Sequence, residues 1–152
     1  MNEKLHFEIV IKAPASKVWH VMLDPETYKE WTAPFGQNSY FEGSWEKGSK
    51  IRFLGESGDG GMTSEIAENI PHKFLSIKHL GIIKNGVDDT TSEEAKKWSP
   101  GFENYTFTDM GAETKLEIDL KMVDTSKSEA MVEMFGDMWP KALQKLKEIC
   151  EK

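Results

Sequence analysis

Histidine is the side chain most ready to move protons near neutral pH, and this sequence has four, His6, His20, His72 and His79. Their spacings match no metal-ligand pattern, either among themselves or with the single cysteine, Cys150, so no metal site is expected. His79 is the one that alternation turns inward. It shares strand parity with Leu75 and Ile77, on a face where burial disfavours a charged ring. Two readings attach to it: a hydrogen-bonded core histidine, which is the commoner case, or a group that orients a ligand's polar head together with Tyr105 or Ser64. As an acid-base catalyst it needs a partner carboxylate, and no motif supplies one. Cys150 closes a helical pattern and reads as a small half-buried hydrophobe rather than a nucleophile. Thr91-Ser92-Glu93-Glu94 has the form of a capping box opening a short helix, which gives those carboxylates a structural use. Gly55, Gly58, Gly60 and Gly61 are too irregular for a phosphate loop, and no Gly-Lys-Ser/Thr follows; they read as a mobile hairpin tip. No catalytic residue and no cofactor is expected.

The stronger signal is apolar. Trp31, Phe35, Phe53, Tyr105, Phe107, Met131, Phe135, Met138 and Trp139 could line a hollow, because aromatic and thioether side chains adapt to varied apolar guests. The alternative is that they are simply the core. A helix laid across a curved sheet rarely fills both ends, so a partial cavity is expected. Trp98 ends a polar segment, residues 84–100, that reads as a lid-like insertion; its ring either plugs the cavity mouth or pins the segment down.

The elements that would position these residues follow from periodicity. Leu5, Phe7, Ile9 and Ile11 alternate with polar neighbours as a strand, and Val10 suggests an outer face partly covered. A helix from Ser16 to Leu23 follows, and Asp24-Pro25 caps a second, which carries Tyr28 and Trp31 and stops at Pro34. Strand patterns recur at Ile51–Phe53, Met62–Ile66, Leu75–His79 and Tyr105–Phe107. The clearest is Leu116, Ile118, Leu120 and Met122. Residues 128–150 form a long helix with Met131, Phe135, Met138, Trp139, Ala142, Leu143, Leu146 and Ile149 on one side. Gly136 and Pro140 should bend or interrupt its first half.

At 152 residues the chain fits one domain, able to bury roughly 70% of its unfolded surface. The apolar fraction is only 38%, but five Trp, eight Phe and eight Met make a large core from few positions. A net charge of −7 opposes phosphate backbones and anionic membranes, so no nucleic-acid partner is expected. No apolar run approaches a membrane span and no signal peptide is evident, so a cytoplasmic address is expected.

The segment Ala13-Pro14-Ala15-Ser16-Lys17-Val18-Trp19, the stretch Asp24-Pro25 to Trp31, and Trp139-Pro140-Lys141-Ala142-Leu143 stand in a characteristic order. With the polar stretch Asn85-Gly86 through Trp98, they resemble the START-like (SRPBCC) superfamily. More narrowly, they resemble bacterial single-domain homologues of the activator of heat-shock protein 90 ATPase. The resemblance implies an α+β helix-grip fold: a curved antiparallel sheet of about six or seven strands around a long C-terminal helix, with two short helices after the first strand. It also implies a binding protein for a small hydrophobic or aromatic ligand. A chaperone-associated interaction protein is the alternative, and a cyclase- or hydrolase-like enzyme the second alternative.

Overall fold

The computed structural model describes residues 3–36, 38–96, 101–122 and 129–152. Among these, eight strands and four helices follow in the order β1 (Glu3–Ile11), α1 (Ala15–Leu23), α2 (Pro25–Trp31), β2 (Tyr40–Gly43), β3 (Lys50–Leu54), β4 (Gly60–Ile70), β5 (Phe74–Lys84), β6 (Val87–Asp89), α3 (Glu93–Lys96), β7 (Gly101–Asp109), β8 (Thr114–Met122) and α4 (Glu129–Cys150). Every pairing is antiparallel, in the order β1-β8-β7-β5-β4-β3-β2, with β6 beside β5. This is the α+β helix-grip architecture: a curved, unclosed sheet and a C-terminal helix. No described helix is long and apolar enough to cross a membrane.

The two clearest alternating segments pair with each other. β1 and β8 run in unbroken register from Glu3↔Met122 to Ile11↔Thr114. Their inward residues, Ile11, Leu116, Ile118 and Leu120, are buried. On the outer face His6 joins Asp119 at 2.7 Å. Val10, whose apolar character suggested a partly covered outer face, is 42% exposed.

Asp24 serves two helices: it closes α1, and its carboxylate accepts from the Glu26 amide at 2.9 Å to open α2, with Pro25 at the first helical position. The buried indole of Trp31 donates to the Met22 carbonyl at 3.0 Å, which locks α2 against α1 and orients the ring.

Two strands, β2 and β6, answer to none of the alternating patterns named from sequence. β2 pairs with β3, and β6 returns along β5 through Asn85-Gly86, both in the left-handed region at φ 53° and 78°. That dipeptide is the signature of a type I′ hairpin. The polar insertion therefore begins as sheet. The Asp88 carboxylate meets Arg52 (2.8 Å) and Thr63 (3.0 Å), while Arg52 also reaches Glu42 (2.9 Å) and the Gly86 carbonyl (2.7 Å). This network ties β2, β3 and β6 together. The short helix α3 is capped by Ser92, whose hydroxyl accepts from the Ala95 amide at 3.1 Å; the cap lies one residue later than a box starting at Thr91 would put it.

The glycine-rich tip between β3 and β4 is a hydrogen-bonded hairpin. Gly55 donates to Gly60 at 3.1 Å, and Gly86 donates to Asp59 at 3.0 Å. A Cβ on Gly61 would sit 1.8 Å from the Phe53 carbonyl oxygen, so only glycine permits this approach.

α4 runs unbroken through Gly136 and Pro140, contrary to the expected interruption. Both residues face solvent, so proline removes one backbone bond without disturbing the apolar side. That side, Trp139, Ala142, Leu143, Leu146 and Cys150, packs on Ile11, Val18, Leu75, Leu116 and Ile118. Each fully buried aliphatic side chain contributes about 1.5–3 kcal/mol. Cys150 is fully buried rather than half-buried.

Leu146→Ala should lower unfolding free energy by about 2–5 kcal/mol, measured by urea denaturation; a loss below about 1 kcal/mol would mean that this end of α4 is not the core. Burial pushes the Cys150 thiol up to about 11. Fewer than about one thiol in a thousand is then thiolate at pH 7.5. Ellman's reagent should label the native protein no faster than it opens, and label it at once in guanidinium. Prompt labelling of the native protein would contradict this burial.

Candidate functional site

Beyond the packed end of α4 the sheet and helices do not close on each other, and a hollow of about 610 Å³ remains. That lies within the range of small-molecule sites. Its wall is set by elements already described. α1 and α2 contribute Met22, Leu23, Tyr28, Trp31 and Thr32, and α4 contributes Met138 and Trp139. β3 and the start of β4 contribute Phe53, Gly61 and Met62, and β5 and β7 contribute Leu75, Ile77, His79, Glu103 and Tyr105.

The rings brace one another. Trp139 meets Phe35 at 4.9 Å, Tyr105 at 6.1 Å and Trp31 at 6.3 Å between centroids. Tyr28 stands edge-on to Phe41 at 5.2 Å and to Trp31 at 5.7 Å, and Trp45 lies 5.7 Å from Phe53. Edge-on contacts at these distances are favourable, and they fix the wall without filling the space it surrounds.

Of the residues singled out by sequence, Trp31, Phe35, Phe53, His79, Tyr105, Met138 and Trp139 come together on this wall. Phe107 does not. It shares a strand face with Tyr105 but lies one pleat further along, where α1 covers the sheet, and its ring meets Trp19 at 5.2 Å. The side chains of Met131 and Phe135, and the whole of Trp98, lie outside the described residues. No described residue of 84–96 is on the wall.

One corner of the hollow is polar. His79 and Glu103 are only 14% and 21% exposed, with His79 Nε2 at 3.3 Å from Glu103 Oε1. Tyr105 donates its hydroxyl to Glu103 Oε2. His79 Nδ1 lies 2.7 Å from the Ser64 hydroxyl. Ser64 is fully buried, so its proton needs an acceptor. The tautomer that satisfies every partner has Nδ1 accepting from Ser64 and Nε2–H donating to Glu103. In that tautomer the ring carries no charge. A register shift between Thr63 and Ser64 makes the contact: Thr63 faces Gly81, yet Ser64 faces His79 rather than Leu80.

The order Ser64, His79, Glu103 resembles a nucleophilic triad only on paper. Ser64 is 0% exposed and off the wall of the hollow, so it positions His79 and presents no nucleophile to a guest. The carboxylate partner that no motif supplied is Glu103, two residues along β7 from the residue facing His79: β5 and β7 align Ile77↔Glu103 and His79↔Gly101. Alternation could have found it, since Glu103 has the parity of Tyr105. Burial, and secondly the charge of Glu103, push the Tyr28 and Tyr105 hydroxyls upward, so both stay protonated.

No curated protein matches this chain by sequence. Among solved structures it is similar to a protein from Mesorhizobium loti, at 16% identity over 96% of this chain and 95% of that one, with a TM-score of 0.73. It is similar to the Aha1 dimer from Colwellia psychrerythraea at 18% identity, covering 98% and 96%, also with a TM-score of 0.73. CalU16 from Micromonospora echinospora follows at 19% identity, covering 95% and 74%, with a TM-score of 0.64. Identities this low speak to the fold. The family described as Activator of Hsp90 ATPase homolog 1-like protein matches residues 12–151, nearly the whole chain, and the chain belongs to that family.

Proposed function

We propose that this protein binds a small hydrophobic or aromatic molecule in the hollow between the sheet and α4. The observation that carries the reading is a space of about 610 Å³ walled by rings from α2, β3, β7 and α4. A core packed at ordinary density leaves no such volume. A guest burying on the order of 200 Å² of apolar area would gain roughly 5 kcal/mol before its entropy costs. That suffices for binding, and it leaves discrimination among guests to the polar corner.

The family's description carries a second reading, a chaperone-associated interaction protein. A changed chaperone ATPase rate, together with no ligand, would favour it.

Native mass spectrometry of protein prepared without detergent, followed by organic extraction, should reveal an added mass that leaves on denaturation. Met138 is half-buried on the helix side of the wall. A folded Met138→Glu variant should lose uptake of that guest by more than about tenfold, because a charge placed on an apolar wall must shed its water. Undiminished uptake by the folded variant would move the site out of the hollow.

A further inference from the structure

Apolar area alone does not account for Glu103. Among the described residues lining the hollow it is the one acidic side chain. Holding a carboxylate against aromatic walls costs desolvation. The hydrogen bonds from Tyr105 and His79 offset part of that cost, yet each carboxylate oxygen keeps a further acceptor position. If the residue merely tied β5 to β7, an uncharged glutamine would do so at less cost. Among the described residues His79 is the one basic side chain within ion-pair distance, and it brings no charge when its Nδ1 accepts from Ser64. Lys121 also borders the hollow, but it is exposed.

The surroundings favour one sign of charge. Tyr28, Trp31, Trp45 and Phe53 present rings to the same space, and ring faces attract cations. The chain's net charge of −7 attracts cations from solution as well. Resting on the ligand-binding reading above, we propose that the hollow selects a monocationic amphiphile: an aromatic or alkyl body carrying a protonated amine, with the ammonium at Glu103 and the body against Trp31 and Trp139. Tyr105 and His79 act as positioning residues that hold the carboxylate toward the guest. An anionic guest would meet Glu103 with like charge, and a neutral guest of the same shape would gain only its apolar contacts.

The test is isothermal titration of the full chain with three naphthalene compounds of nearly equal shape: naphthylmethylammonium, naphthalenemethanol and naphthoate. The ammonium compound should bind at least about tenfold more tightly than the alcohol, and naphthoate most weakly. Glu103→Gln should bring the ammonium compound to within about twofold of the alcohol measured on the same variant. Equal affinity for all three would overturn cation selectivity and leave the ligand-binding reading standing. Tightest binding of naphthoate would overturn it as well. Binding of none would remove both readings. If Glu103→Gln does not fold, the wild-type comparison decides alone.

Discussion

Everything in this fold leans on the contact between the apolar side of α4 and the concave face of the sheet. Trp139 marks its turning point. On one side of this indole, Ala142, Leu143, Leu146 and Cys150 interlock with the aliphatic residues of β1, β5 and β8. Phe7 stacks on it, and the rings of Phe35, Trp31 and Tyr105 are set edge-on or tilted to it. Aliphatic side chains interdigitate to close packing, whereas rigid planes that meet by their edges leave gaps between them. The same helix therefore seals one end of the grip and holds the other open.

The polar corner shows how strand register becomes chemistry. Ser64, His79, Glu103 and Tyr105 come from three neighbouring strands, β4, β5 and β7. The bulge at Leu80 brings the serine to the imidazole, and Gly101, opposite His79, adds no side chain of its own to that pair. The network satisfies its internal donors completely. What it leaves over is acceptor capacity on Glu103, directed by a fold whose other walls are almost wholly apolar.

Much of the architecture was legible because its signals are local and strong. The alternation of Leu116–Met122, the Asp24-Pro25 cap and the apolar side of α4 each state what they become. Other features were written in the sequence but outweighed. Asn85-Gly86 announces a hairpin, yet it sits among so many polar residues that the stretch reads as an insertion. Glu103 has the parity of Tyr105, and a charged residue on an inward face is easily read as the end of a strand. Phe107 illustrates a limit of another kind. Parity tells which face a side chain takes, but not which part of the sheet a helix covers, and α1 covers exactly the pleat that Phe107 occupies. Whether a ring is core or cavity wall depends on what arrives from far along the chain.

Pro140 has a consequence for how the helical wall of the hollow can open. Its missing amide leaves the Gly136 carbonyl without its helical partner, and, the local helix backbone aside, no described atom lies within 4 Å of where a Cβ on Gly136 would sit. The gap in the α4 ladder thus falls beside Met138 and Trp139, where the helix borders the hollow, and away from the turns that Leu143 and Leu146 anchor. Opening at this point starts from a helical ladder that already lacks one bond, so it belongs to the local class of fluctuations. On the proposed ligand-binding reading, a guest's residence time would then be set by the opening of one helical turn, independently of how firmly the domain as a whole is folded.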